Sequence, residues 1–242
     1  MGTVIAILSG KGGTGKSTAA AALACGLSEL GRSVVCVDAD AELRNLDLCL
    51  GLSDEALLDY GDVLAGRCSL DKALAAPAGF PSLRLLPAPQ EPAEEGLADL
   101  CAQLRERFDY CILDYPGGLK PGVEEASRLA DRVLVVATAD PCSHRDAERA
   151  AQLLRSGGSP DTFLLMNRVS PPLLKAMGLT LDDSMDRVGL RIIGYVPEDK
   201  RVSLALAAGK PLLEADKRPH RGAAAAFRRI ARRLDGQRVP IR

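Results

Sequence analysis

Short apolar runs alternate with longer stretches of helical periodicity along the 242-residue chain. Seven runs read as strands: Thr3–Leu8, Ser33–Asp38, Leu83–Pro87, Tyr110–Asp114, Arg132–Thr138, Thr162–Asn167 and Arg191–Val196. Most are continuously apolar rather than alternating, the pattern of parallel strands covered on both faces. Helical periodicity falls between them, over Lys16–Leu30, Leu97–Arg107, Glu124–Ala130, His144–Leu154 and Ala223–Leu234. This spacing predicts a three-layer α/β/α fold around a mostly parallel sheet with right-handed crossovers. Ligands of such sheets bind at the carboxyl ends of the strands, so the residues just after each strand carry the candidate chemistry. Pro87-Ala-Pro-Gln-Glu-Pro92 reads as a loop leaving a strand. No internal repeat and no break in composition divides the chain, so residues 1–242 are expected to form one domain.

The first strand runs into Gly10-Lys11-Gly12-Gly13-Thr14-Gly15-Lys16-Ser17, which fits G-x-x-x-x-G-K-[ST]. Its glycines let backbone N–H groups turn inward as a nest for phosphate oxygens. The helix starting near Lys16 adds a dipole worth roughly half a positive charge. Lys16 is expected along the β- and γ-phosphates, with the Ser17 hydroxyl on Mg²⁺. Thr18, next in line, joins the loop residues as a nucleotide contact. The apolar strand before the motif and the Ala-rich helix after it supply the context that the pattern requires, and the expected fold is that of a P-loop NTPase.

The second strand ends in Asp38-Ala-Asp40, and carboxylates at i and i+2 leave a strand pointing the same way. The strand Tyr110–Asp114 ends in a single acid followed by Tyr115-Pro-Gly-Gly118. Gly117 and Gly118 would let backbone approach a γ-phosphate and sense its loss, as a switch loop does. His144, just after Pro141-Cys-Ser, is read as helping to start a helix rather than as a catalytic base.

Composition narrows the partners. The 31 Lys and Arg nearly balance 32 Asp and Glu, which argues against a protein coated in positive charge for nucleic acid. Aromatics make up only 3% with no Trp, so a stacking platform for bases or sugars is excluded. No apolar run reaches the roughly 18 residues of a membrane span, and no signal peptide is read at Met1. The seven cysteines are never closer than ten residues apart, which fits neither a zinc site nor a redox pair, and they are expected as buried reduced thiols. The neutral total hides one asymmetry: Lys217–Arg242 holds nine basic residues and the single acid Asp235.

The second lysine, Lys11, makes the loop resemble that of the deviant Walker A ATPases, K-G-G-x-G-K-[ST], and the chain is similar to their MinD/ParA family from Met1 to about Pro240. The resemblance implies an ATPase using ATP and Mg²⁺. It implies that Lys11 reaches across a nucleotide-sandwiched homodimer to the partner's phosphates, much as an arginine finger supplied in trans does. By the same resemblance Asp38 supports the Mg²⁺ shell, Asp40 orients the attacking water, and Asp114 is the acid that holds Mg²⁺ through water. Lys11, Lys16 and Asp40 thus form the expected catalytic set, and Ser17, Asp38 and Asp114 the metal set. Asn167-Arg168 and Pro197-Glu198-Asp199 resemble the family's adenine-binding segments. The Asn167 amide can both donate and accept, as an adenine edge requires. Neither segment carries N-K-x-D, so ATP is favoured over GTP. The family more often has a small residue where Tyr115 stands and Ala where Gly117 stands, so the shape of this switch is expected to differ.

Within the family the resemblance is closest to the group that places the cell-division site. It is carried by Arg44-Asn-Leu-Asp-Leu-Cys-Leu-Gly51, Leu85-Leu-Pro-Ala-Pro-Gln90 and Ile230–Pro240. The implied cycle is dimerisation on ATP, recruitment of a MinC-type division inhibitor, and release on hydrolysis. The alternatives are a ParA-like partition ATPase on non-specific DNA and a flagellar-number regulator. Ala41-Glu42-Leu43-Arg44 replaces the partition group's Pro-Gln-Gly-Asn, so DNA is disfavoured. Near the end, Phe227, Ile230, Ala231 and Leu234 form one helical stripe with Arg228, Arg229, Arg232 and Arg233 on the remaining surface. An interfacial helix on anionic lipid would look like this, but alignment with the family's final core helix favours packing on the sheet. Relatives usually continue into a short amphipathic membrane-targeting helix, whereas this sequence stops at Pro240-Ile-Arg242. The expected location is the cytoplasm, with the inner face of the cell membrane open as a peripheral site.

Overall fold

A computed structural model describes residues 1–53, 55–90, 96–119, 122–158 and 160–241. In chain order the elements are β1 (Thr3–Leu8), α1 (Lys16–Glu29), β2 (Val34–Asp38), α2 (Leu46–Leu50), α3 (Tyr60–Leu64), α4 (Leu70–Ala73) and β3 (Leu83–Leu86). They continue with α5 (Leu97–Arg107), β4 (Tyr110–Asp114), α6 (Gly122–Leu129), β5 (Arg132–Ala137), α7 (Pro141–Ser156) and β6 (Asp161–Val169). The last third holds α8 (Pro171–Ala176), α9 (Leu181–Val188), β7 (Arg191–Pro197), α10 (Lys200–Ala207), α11 (Leu212–Ala215) and α12 (Gly222–Leu234).

The seven strands form one sheet in the order β3-β2-β4-β1-β5-β6-β7, and every neighbouring pair is parallel. Both faces are covered, which is why the strands read as unbroken apolar runs. Ile5, Ile7, Cys36, Ile112 and Leu134 point into a core shared with α1, α11 and α12. Val4, Ala6, Val35, Leu113 and Val135 point the other way, into a core shared with α5, α6 and α7. The order reverses around β1, so the loop after β1 lies between the ends of β4 and β5. That is the switch point at which open α/β sheets bind ligands.

The predicted strands all form. The helices are more numerous than the sequence pattern predicts: α2, α3, α4, α8, α9, α10 and α11 are each eight residues or shorter. A segment of about two turns is too short to display a 3.6-residue period. α7 begins three residues earlier than expected, and His144 does not start it. Asp140 is the N-cap, accepting from the Ser143 N–H at 2.9 Å, with Pro141 in the first turn. His144 is buried one turn in, and neither ring nitrogen finds a partner. β6 runs on beyond Asn167 to Val169 through a register shift against β7, with Arg168 at φ 53°. The loop after Leu86 leaves its strand as expected, although Glu91 and Pro92 lie outside the described residues.

α12 is a core helix. Phe227, Ile230, Ala231 and Leu234 are at most 2% exposed, packed with α1 over the sheet. Two of its arginines are tied down: Arg228 pairs with Glu29 at 2.7 Å, and Arg233 donates to the Ile193 carbonyl at 2.7 Å. Phe227→Ala is therefore expected to cost about 3–5 kcal/mol, measured as a lowered urea midpoint. A helix free to lie on lipid would lose almost nothing. No helix among the described residues is long and apolar enough to cross a membrane. The cysteines are all unpaired; Cys25, Cys36, Cys101 and Cys111 are buried as expected, but Cys49 and Cys68 are half-buried and Cys142 is exposed.

Candidate functional site

α1 begins at Lys16 behind Gly15, which holds φ 90° and gives no side-chain cap. The first N–H groups of the helix thus lack intrahelical partners. Gly15 is required twice over: its φ is left-handed, and a Cβ there would stand 2.3 Å from Asn167 Nδ2. Lys16 is 7% exposed, and the Thr14 hydroxyl is buried without a partner. Gly12, Gly13, Lys16, Ser17, Asp40 and Gly117 bound a cavity of about 280 Å³ above this helix end. Uncapped donors and a buried ammonium in one small cavity are a site for a polyanion. Gly10 shapes the loop without lining the cavity, because it lies against α7, where a Cβ would come within 2.4 Å of Asp146 Cβ.

Lys11 is elsewhere. Its side chain is 44% exposed and stands 3.7 Å from Asp140 Oδ1, on a second depression bordered by Gly13, Arg168, Ser170 and Leu173. The two lysines of one loop therefore serve different spaces.

The strand ends bring the acids together. Asp38 and Asp114 are register partners on β2 and β4. Asp38 is 2% exposed and accepts from the N–H groups of Asp40 at 2.9 Å and Leu46 at 3.2 Å. Burial pushes its carboxyl up to about 6 despite those two hydrogen bonds. Asp114 is 1% exposed, and neither of its oxygens accepts a hydrogen bond of normal geometry. Burial pushes it up to about 7, against the opposing pull of Ser17 and Lys16 and with the push of the Asp38 charge. An orphaned buried carboxylate beside a hydroxyl and a second acid fits a divalent cation. Asp40 lies at the cavity wall, 6% exposed, and accepts from the Leu43 N–H at 3.1 Å.

A neighbouring cavity of about 310 Å³ is lined by Asn167, Arg168, Pro197, Glu198 and Asp199, and it shares Gly13, Gly15, Thr18 and Leu206 with the first. The segments expected to hold the base thus do border a space continuous with the phosphate cavity. Their polar atoms are partly spoken for. Asn167 Nδ2 donates to the Thr14 carbonyl at 2.8 Å, so one of its N–H groups braces the phosphate loop, while its oxygen and second N–H are left for a ligand. Arg168 pairs with Glu198 at 2.8 Å. Asp199 caps α10 through the Arg201 N–H at 3.0 Å and binds Arg218 at 2.8 Å and the Ala223 N–H at 3.2 Å. Its carboxylate holds the fold rather than facing the cavity freely. Gly118 stands at φ 122° and donates its N–H to the Ser9 carbonyl at 3.0 Å, so contact with a phosphate requires that bond to open.

Several participants escaped the sequence reading. Asp140 follows β5 directly, where strand-end logic points, and Asp-Pro is a helix-start signal. Leu43, Leu48 and Leu206 border the phosphate cavity while 43–63% exposed. Exposed leucines carry no motif, and nothing in the letters separates them from core leucines.

Residues 5–212 match the CobQ/CobB/MinD/ParA nucleotide binding domain. The septum site-determining protein MinD of Synechocystis sp. is 37% identical, with 100% of this chain and 92% of the relative covered. The MinC:MinD cell division protein complex of Aquifex aeolicus contains a chain that superposes with a TM-score of 0.91 at 34% identity, covering 99% of this chain and 98% of that one. The septum site-determining protein MinD of Pyrococcus horikoshii, solved with Mg-ADP, superposes with a TM-score of 0.84 at 27% identity, covering 97% and 96%. On the strength of a match over most of its length and of relatives spanning all of it, the chain belongs to the MinD/ParA family of nucleotide-binding ATPases, on its MinD branch.

Proposed function

We propose that residues 1–242 work as one ATPase domain that dimerises around ATP, hydrolyses it to ADP and phosphate, and through that cycle controls placement of the division site. The observation that supports this best is the split between the two loop lysines, Lys16 buried at the phosphate cavity and Lys11 half-exposed beside it. A lysine that leaves the phosphate cavity and pairs with a half-exposed Asp140 is available to a second subunit's nucleotide.

In this reading Gly10, Gly12, Gly13, Thr14, Gly15 and Thr18 shape and line the phosphate end, and Lys16 lies along the β- and γ-phosphates. The Ser17 hydroxyl would ligate Mg²⁺, Asp38 would support its shell, and Asp114 would hold it through water. When bound, Mg²⁺ neutralises charge on the phosphate oxygens and keeps the buried acids ionised. Asp40 orients water for attack on the γ-phosphorus; the new P–O bond forms as the β–γ bridge breaks, and the bridging oxygen leaves with ADP. Lys11 of each subunit stabilises the charge that develops on the other's leaving phosphate oxygens. Asn167, Arg168, Pro197, Glu198 and Asp199 frame the adenine end, and Gly118 meets the γ-phosphate after releasing Ser9. The ATP-bound dimer recruits a MinC-type inhibitor, as expected from the Aquifex aeolicus relative solved as a MinC:MinD complex. The protein acts in the cytoplasm and peripherally at the inner face of the cell membrane.

Size-exclusion chromatography with a non-hydrolysable ATP analogue and with ADP tests the cycle. A dimer with the first and a monomer with the second are expected, and identical elution would refute it. Asp40→Ala should keep the dimer while slowing turnover by about 10²-fold or more. An unchanged hydrolysis rate would remove Asp40 from its assigned role.

A further inference from the structure

Tyr115 follows the buried acid Asp114 and is itself 1% exposed, at the head of the largest fully buried side chains of the protein. Its ring belongs to the core formed with Tyr60 of α3, Cys101 of α5 and Val123 of α6. It also stands against the start of α6, where a Cβ on Gly122 would lie 3.3 Å from Tyr115 Cβ and Cδ1. One side chain thus anchors the beginning of the switch and meets the start of α6. Two residues after Tyr115 the chain is pressed onto the phosphate loop. A Cβ on Gly117 would come 3.0 Å from Gly12 N and 3.2 Å from Gly12 Cα, which is closer than ordinary contact. The backbone is stitched down at both sides, by Tyr115 N–H to the Ile7 carbonyl at 3.3 Å and Gly118 N–H to the Ser9 carbonyl at 3.0 Å. Ser9 in turn donates its hydroxyl to the Lys11 carbonyl at 2.6 Å.

We propose that Tyr115 is a positioning residue for the ATPase reaction, whose buried ring seats the switch so tightly on the phosphate loop that a side chain at position 117 crowds Gly12. The inference rests on reading residues 114–118 as the switch of a nucleotide site. A Cβ at 117 presses on the backbone of Gly12, which must give by a few tenths of an ångström, and Gly12 lines the phosphate cavity. Removing the ring lets the segment retreat and opens room for that side chain. The two positions are therefore coupled, and the effects of changing them do not add, whereas those of independent sites do.

The test is a double-mutant cycle in the full chain, with Gly117→Ala, Tyr115→Leu, Tyr115→Ala and each of these two Tyr115 variants combined with Gly117→Ala, and with Tyr115→Phe as the control that keeps the ring. Steady-state kinetics with Mg-ATP, hydrogen exchange of the Tyr115, Gly117 and Gly118 amides without nucleotide, and urea unfolding are read on every protein. Gly117→Ala should lower kcat/KM by about tenfold, chiefly through KM. The combined variants should retain about tenfold more activity than the product of the single losses. Exchange at these amides should speed up by about tenfold in Tyr115→Leu or Tyr115→Ala and return to the parental rate in Tyr115→Phe. Losses that simply multiply in folded variants would overturn the coupling, and so would unchanged exchange when the ring is removed. If the parent protein fails to hydrolyse ATP, the ATPase reading falls, while the exchange measurements still decide whether Tyr115 seats the switch.

Discussion

Lys11→Ala is expected to leave ADP affinity within a few-fold of the parent and to abolish the dimer formed with a non-hydrolysable ATP analogue. The Lys11 side chain lies outside the cavity that Lys16 borders and leans on Asp140 at 3.7 Å instead. An exposed pair of this kind contributes at most about 1 kcal/mol, so losing it costs the monomer little. In the proposed dimer the same ammonium would meet a partner's triphosphate, and a charge out of reach of bulk water is worth far more. By analogy with arginine fingers, turnover should fall by about 10³-fold or more. Light scattering on the eluting peak and an ADP titration separate the two effects. A normal dimer peak from the variant would end the role in trans, and equal loss of ADP binding would place Lys11 in its own subunit's site.

Asp114→Asn should flatten the pH dependence of stability in the magnesium-free protein and abolish Mg²⁺-dependent hydrolysis. Burial pushes the Asp114 carboxyl up to about 7, from an ordinary value of 3.8. Between those two values the folded protein holds a proton that the unfolded chain has released. Stability therefore declines as pH rises across this window and settles at its lower level above about 7. The loss is on the order of a few kcal/mol, and the amide, which does not ionise, escapes it. Urea midpoints in chelator at pH 5 and pH 8 provide the measurement. Asp38, raised to about 6 by the same cause, leaves a smaller slope of the same sign in the variant. Equal slopes in parent and variant would mean that Asp114 is ionised when folded and that its burial carries no penalty.

Those acids show what was legible in the letters. Strands buried on both faces announce themselves as apolar runs, and three of them lead to the candidate site: β1 runs into the loop, and β2 and β4 end at Asp38 and Asp114. The glycine–lysine motif is readable because its backbone path permits few other residues. The short helices α2 and α10, which carry Leu48 and Leu206 to the cavity mouth, are five and eight residues long, too short to show a period. Asn167 was legible as a site residue but not as a brace for the Thr14 carbonyl, since a hydrogen bond across 153 residues leaves no local trace. His144 misled for the opposite reason: its place near a helix start is local, while its burial between helices is not. The MinD branch rests on full-length likeness, and the partition and flagellar alternatives are not favoured by it.

The order of strands also sets when the site can first exist. β1 carries the phosphate loop near the amino terminus, yet its neighbours are β4, from Tyr110, and β5, from Arg132. The loop is synthesised early and stays without walls until chain more than a hundred residues downstream has left the ribosome and inserted on either side of it. Pairings that distant are entropically costly and form late. A nascent or truncated chain ending before β5 holds the whole glycine–lysine motif and still has no pocket for ATP. Nucleotide binding is thus expected only once the sheet centre has formed, and a ligand that binds finished chains alone stabilises them over unfinished ones.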